Sequence, residues 1–193
     1  MYTKVFRPSF VVAAVWLCSL ASSVLAEPQR YSVDQNASRV SFFFEIGDQR
    51  SKGFFPVSNA DVILDLDMLS KSSVTVDLSV EHARAGDLFS TSAMKSQEVL
   101  DAARFPSAKF VSRQVVQRGQ GADIRGDLTL RGVTRPVKVS ARLIRTPDAP
   151  KDNSKLVLEI SGRLKRSDFG ATGYANFVGD DISLKFFIWL TRA

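Results

Sequence analysis

His82 is the only histidine in the chain, and it stands beside Glu81. An imidazole next to a carboxylate is the start of a general base or of a metal site. Neither can be completed here. No second histidine exists and the single cysteine, Cys18, lies far away in an apolar run, so a nitrogen–sulfur metal set cannot be assembled. The carboxylates lack the clustered spacing of a hard-cation loop. Asp168-Phe169-Gly170 spells a kinase tripeptide, but no other kinase element accompanies it and a turn explains it better. Arg125-Gly126-Asp127 spells an adhesion tripeptide at the start of a predicted strand rather than on a loop tip. Asn36-Ala37-Ser38 fits a glycosylation acceptor, which matters only in a eukaryotic secretory route. No G-x-S-x-G, Walker or dinucleotide fingerprint is present, so no catalytic residue, metal or cofactor is expected.

The elements around these residues read as strands. Val74, Val76, Leu78 and Val80 alternate with Thr75, Asp77, Ser79 and Glu81, which places the apolar side chains on one face of a strand. Val40–Ile46, Val62–Leu66 and Ile182–Leu190 show the same period of two. Phe110–Val116, Ala122–Leu130, Val137–Ile144 and Leu156–Leu164 are further candidates. Gly47-Asp48, Gly119-Gln120-Gly121, Pro147-Asp148-Ala149-Pro150 and Val178-Gly179-Asp180 supply reversals between them. One segment differs. Helix formers fill the stretch before Phe105-Pro106, predicting a short helix over Ser96–Ala103 with Ser96 as its N-cap. About eight one-sided strands fit either a two-sheet sandwich or a closed up-and-down barrel. The last strand could close the barrel by pairing with the first, near Tyr31–Ile46. Periodicity alone does not choose.

The first 26 residues read as an address. Lys4 and Arg7 precede an apolar run from Phe10 to Leu20, and Val24-Leu25-Ala26 ends it, a signal-peptide layout with cleavage expected after Ala26. The run is shorter than the ~20 residues a membrane span requires. Residues 27–193 then form one domain, without cysteine, so that stability rests on core packing and closed hydrogen bonding. The net charge of the full chain is +6, and loss of Lys4 and Arg7 lowers it by two. The remaining charges alternate in sign with no basic stripe, which argues against a nucleic-acid partner.

Several segments resemble a known family. Tyr31-Ser32-Val33-Asp34, Ser38-Arg39-Val40-Ser41-Phe42, Lys52-Gly53-Phe54, Val99-Leu100-Asp101 leading to Phe105-Pro106, and Lys109-Phe110 are similar to YceI-like proteins. So are Gly126-Asp127-Leu128-Thr129-Leu130-Arg131-Gly132-Val133-Thr134-Arg135-Pro136-Val137, Arg166-Ser167-Asp168-Phe169-Gly170 and Val178-Gly179-Asp180, in the family's order. The resemblance implies a mainly β fold: a single extended, antiparallel, eight-stranded, lipocalin-like barrel with one short helix. It implies a periplasmic protein, not an enzyme, that binds a long apolar ligand such as a polyisoprenoid, a quinone precursor or a fatty derivative. The segment Glu81–Phe89 follows the family pattern only loosely; if it rims the pocket, the ligand differs accordingly.

The chain holds 14 Phe against three Tyr and two Trp. Aromatic walls without hydroxyls can line a dry tube and leave no donor unsatisfied. Composition alone favours a filled core, whereas the resemblance favours a lined one. The expected cavity residues are Phe42, Phe44, Val62, Leu64, Val76, Leu78, Leu128, Leu184 and Phe186. A charged residue at Phe44 or Leu78 is expected to remove lipid loading more than it alters the fold. Phe43, Phe187 and Trp189 face the other way. If the first and last strands pair, they form one exterior patch that a membrane or a second copy could contact, unless the short helix covers it. Two other functions are compatible with the sequence: an enzyme acting on an isoprenoid or quinone-type lipid, and a filled-core interaction domain.

Overall fold

The computed structural model describes residues 27–145 and 150–193. The expected leader and most of the Pro147–Pro150 reversal lie outside the described residues. Ten strands form within them: β1 (Gln29–Val33), β2 (Arg39–Ile46), β3 (Gln49–Leu64), β4 (Ser73–Ser79), β5 (Arg84–Ala85), β6 (Ser107–Arg118), β7 (Gly121–Leu130), β8 (Val133–Ile144), β9 (Lys155–Lys165) and β10 (Asp181–Arg192). Each pairs antiparallel with its neighbours. β10 runs beside β9 from Asp181 to Thr191 and meets β2 on its other edge at Ser183 and Leu184. That contact closes the sheet into an eight-stranded antiparallel barrel of β2, β3, β4, β6, β7, β8, β9 and β10.

β1 and β2 act as one interrupted strand between β10 and β3. Tyr31 pairs with Arg192 on one side and Val62 on the other. The interruption is an Asx turn, in which the Asp34 carboxylate accepts from the N–H groups of Asn36 and Ala37. Across the gap, the buried Ser38 hydroxyl accepts the Trp189 N–H at 3.1 Å and stands in for the missing ladder partner.

The hairpins obey local chemistry. Gly47 and Gly119 sit at φ +56° and +57° between β2 and β3 and between β6 and β7. Arg131 and Gly132, both at positive φ, close a two-residue turn that starts β8 at Val133, four residues before the expected Val137. β3 also departs from expectation. It begins at Gln49 and ends at Leu64, because Asp65 turns inward, buried, and its carboxylate accepts from the N–H groups of Asp67 and Met68.

The helix expected over Ser96–Ala103 does not form. The observed α1 spans Leu88–Lys95, and Ser96 is its C-cap. The true N-cap is Asp87, whose carboxylate accepts the Ser90 N–H at 2.8 Å. Residues 96–105 instead make successive turns, with Asp101 at φ +48°, which brings Leu100 into the core beside Val57, Leu78 and Val80. A helix about two turns long has little cooperative stability of its own, so this burial overrides propensity. α1 packs Met94 onto the Phe42–Phe44–Ala85 cluster at one end of the barrel. It therefore does not cover Trp189.

Candidate functional site: the barrel interior

Inward-facing side chains of all eight barrel strands border a single continuous cavity of about 1330 Å³. Cavities for drug-sized ligands hold roughly 300–1,000 Å³, so this one has room for a larger molecule. Strands of 10–12 residues in β6–β10, tilted as barrel strands are, give a wall on the order of 30 Å tall.

The nine residues expected from the sequence all border it. They fall into two kinds. Phe42, Phe44, Val62, Leu64 and Leu78 are buried, backed by neighbours within their clusters. Val76, Leu128, Leu184 and Phe186 are only half-buried although they point inward. In a filled core such positions would be covered by side chains from the opposite wall. Here Leu184 and Phe186, with Ile182 and Ile188 beside them on β10, face open space. The sequence reading missed Phe55, Phe110 and Met94, which also border the cavity.

Two glycines explain how so many phenylalanines leave the middle empty. Phe42 stands opposite Gly53, and a Cβ at Gly53 would lie 2.2 Å from the Phe42 ring. Phe110 stands opposite Leu128, two residues from Gly126, where a Cβ would lie 2.6 Å from its ring. Each ring lies flat in the notch that its glycine leaves, against the wall instead of across the axis. Phe42 is further held by Phe44 and Phe55, at ring-centroid separations of 5.8 and 5.0 Å.

The two ends of the cavity differ. At one end, α1 and the loop before β10 bring Phe89, Tyr174 and Phe177 to the rim, exposed by 77%, 41% and 69%. At the other, the rim carries Asp67, Gln117, Gln120, Arg145 and Asn153. The loop at the apolar end is pinned by a buried arginine with no carboxylate partner among the described residues. Arg166 donates through Nε to Gly179 O, through Nη1 to Ala171 O and Gly173 O, and through Nη2 to Val178 O, at 2.6–3.0 Å. Asp180 completes the frame. Its carboxylate accepts from the Ser167 N–H and hydroxyl, both at 2.9 Å, and the backbone bond from Ser167 holds it below the ordinary aspartate range.

A family model described as the YceI-like domain matches residues 31–189. The chain belongs to the YceI-like family. Protein YceI of Salmonella arizonae is 30% identical over 166 residues, 84% of this chain and 85% of that one. A UPF0312 protein of Enterobacter is 42% identical over 79 residues, 41% of either chain. Among solved structures, Burkholderia cenocepacia BcnA matches with a TM-score of 0.72 at 22% identity, over 82% of this chain and 99% of that one. The barrel is therefore a YceI-like barrel in fold as well as in sequence.

The residues that looked chemical have structural settings. The His82 imidazole Nδ1 lies 2.9 Å from the Ser79 hydroxyl, which also accepts the His82 N–H, in an exposed turn. Phe169 is buried and Gly170 is left-handed at φ +70°, capping a 3₁₀ turn over Arg166–Phe169. Arg125-Gly126-Asp127 lies in the middle of β7 rather than at its start. The expected exterior patch is not one patch. Phe187 and Trp189 sit together, rings 6.0 Å apart and each 40% exposed. Phe43 faces Ser183, four positions along β10, and Arg50 covers its ring at 4.3 Å. The Glu81–Phe89 segment does rim the cavity, through Ala85, Asp87 and Phe89.

Proposed function

We propose that this YceI-like barrel is a binding protein that holds one long-chain apolar molecule lengthwise in its interior, for transport, storage or sequestration. The observation that carries the reading is a mainly apolar void of about 1330 Å³, bordered by Phe, Leu, Ile and Val from all eight barrel strands. Water gains few hydrogen bonds in such a space. Filling it with a hydrocarbon chain recovers ~25 cal/mol for each Å² of apolar surface removed from water, partly offset by ordering the chain. Among the described residues the lining is mainly Phe, Leu, Ile, Val and Ala, which favours a polyisoprenoid, a quinone precursor or another long apolar chain over a polar ligand. It also favours a carrier over a catalyst, since the one imidazole lies outside, in the turn after β4. The leader-like first 26 residues support export, and the family resemblance supports the periplasm as the destination.

The test is a chain-length series. Lipid-stripped protein is titrated with isoprenoid alcohols of increasing length, and affinity should rise with each unit until the cavity is filled and then level off. Affinity that is flat with length, or absent throughout, contradicts the reading.

A further inference from the structure

The apolar end of the barrel carries a feature that ligand storage alone does not require. Leu88 and Phe89, at the start of α1, are exposed by 80% and 77%, and Phe177, across the cavity rim, by 69%. They are held out, not left loose. Asp87 caps α1, the Thr91 hydroxyl bonds both the N–H and the carbonyl of Ala85, and the Gly86 N–H donates to Lys52 O. On the other side of the rim, the Gly47 N–H donates to Phe177 O. Burying these side chains elsewhere would have been the default, and rigid apolar projections usually mark something that covers them.

Beside them lies a cationic face. Lys52 and Phe54 of β3, Phe43 of β2 and Arg84 of β5 share the outer surface next to α1. Arg50 and Lys52 flank the Phe43 ring at 4.3 and 5.9 Å, and Arg39 lies over Phe54 at 5.2 Å. None of these four cations is in an ion pair among the described residues, while the acids on the same hairpin are Glu45, Asp48 and Asp61, the last of them paired with Arg30. Excess unpaired positive charge around a greasy projection complements an anionic lipid surface. It does not suit a second copy. A two-fold dimer would set the same cations against each other.

We propose that the rim of Leu88, Phe89 and Phe177 inserts into the surface of an anionic phospholipid bilayer, with Arg50, Lys52 and Arg84 on the headgroups. The mouth of the cavity then opens toward the acyl region, and an apolar ligand passes between bilayer and barrel without crossing water.

The experiment is vesicle flotation of protein purified from cells expressing the full chain. Vesicles of phosphatidylcholine alone are compared with vesicles containing phosphatidylglycerol as well. Wild type should float with the second kind and little with the first. The Leu88→Ser/Phe89→Ser pair should bind at least tenfold less, with an unchanged melting profile because both side chains are solvent-exposed. Lys52→Gln and Arg84→Gln should each weaken binding about fivefold, only where phosphatidylglycerol is present. Wild type that ignores both vesicles, or rim variants that float as wild type does, overturns the proposal. So does a rim variant whose only change is from dimer to monomer in size-exclusion chromatography. Extractable lipid is measured on the same samples, so protein that is lipid-loaded but indifferent to vesicles refutes the docking surface and leaves the carrier reading intact.

Discussion

The two ends of this barrel are built from the same strands yet finished in opposite ways. One end carries the β6–β7 hairpin turn and a 3₁₀ turn over Leu69–Lys71, and its rim is amide, carboxylate and guanidinium. The other is finished by elements that belong to no strand, α1 and the loop 171–179, and its rim is aromatic. The first combines local turns with ties from the two terminal strands, in which the Tyr31 hydroxyl donates to Asn153 O and the Arg192 N–H to Ser154 O. The second depends on bonds between separate segments, in which the N–H groups of Gly86, Gly47 and Gly173 donate to the carbonyls of Lys52, Phe177 and Glu98, and on Arg166, which donates to four carbonyls of the loop. Between them, the wall is common to both and sets the capacity. A barrel can thus keep an invariant tube and vary what happens at one mouth.

The largest expected effects are in the wall. Leu184→Asp and Leu78→Asp should both abolish lipid loading, because each buries a charge against the tail. They should differ in stability. Leu78 belongs to the cluster with Val57, Val80 and Leu100, so its loss costs at least the 2–5 kcal/mol of a truncated core leucine. Leu184 borders open space, and calorimetry should show a much smaller drop in Tm. Equal drops would mean that the β10 side of the cavity is as tightly packed as the β4 side.

At the fixed mouth, Arg166→Leu leaves four carbonyls without their donor and should cost on the order of 3 kcal/mol, with rapid proteolysis confined to residues 171–179. Uniform loss of protection across the barrel would contradict this division of labour. Gly126→Ala comes next. The new methyl meets both the Phe110 ring and the Val111 carbonyl, so about 1–3 kcal/mol of overpacking is expected, together with a shorter longest ligand in the chain-length series.

The smallest effect is one of pH. Asp87 and Asp180 are both held below the ordinary aspartate range, each first by a backbone N–H, from Ser90 and Ser167 respectively. A carboxyl whose folded value is depressed stabilises fully above its unfolded value, about 3.9, and loses that contribution as pH falls through the folded one. Protection from hydrogen exchange in residues 86–95 and 166–180 should therefore fall below about pH 4. Protection in those residues that is unchanged between about pH 6 and about pH 3 would contradict it.

Much of the wall was legible because a strand writes its faces into the sequence with a period of two. That is why Val62, Leu64, Val76 and Leu78 could be placed inward before any contact was known. The closure of Ile182–Leu190 onto the first strand was legible only as an option, since a sandwich uses the same alternation. The mouth was not legible. The expected helix sat one element too late because helix formers outnumber other residues after Ser96, whereas the deciding group is the Asp87 cap. Leu88-Phe89 carried a signal, two large apolar residues side by side between Asp87 and Ser90-Thr91-Ser92, matching neither strand nor helix periodicity. Gly53 and Gly126 interrupt inward positions of strands, which hints at a close approach, but the facing Phe emerges only from register. The buried guanidinium of Arg166 left no local trace, because all its partners are backbone.

The central claim is that the tube is occupied lengthwise by one hydrocarbon chain. Mass spectrometry of organic extracts from natively purified protein tests it most directly, with Leu184→Asp prepared in parallel. A single long-chain species at about one per protein, lost from the variant, is the result expected. Extracts that carry no such species, or the same amount from both proteins, would contradict it.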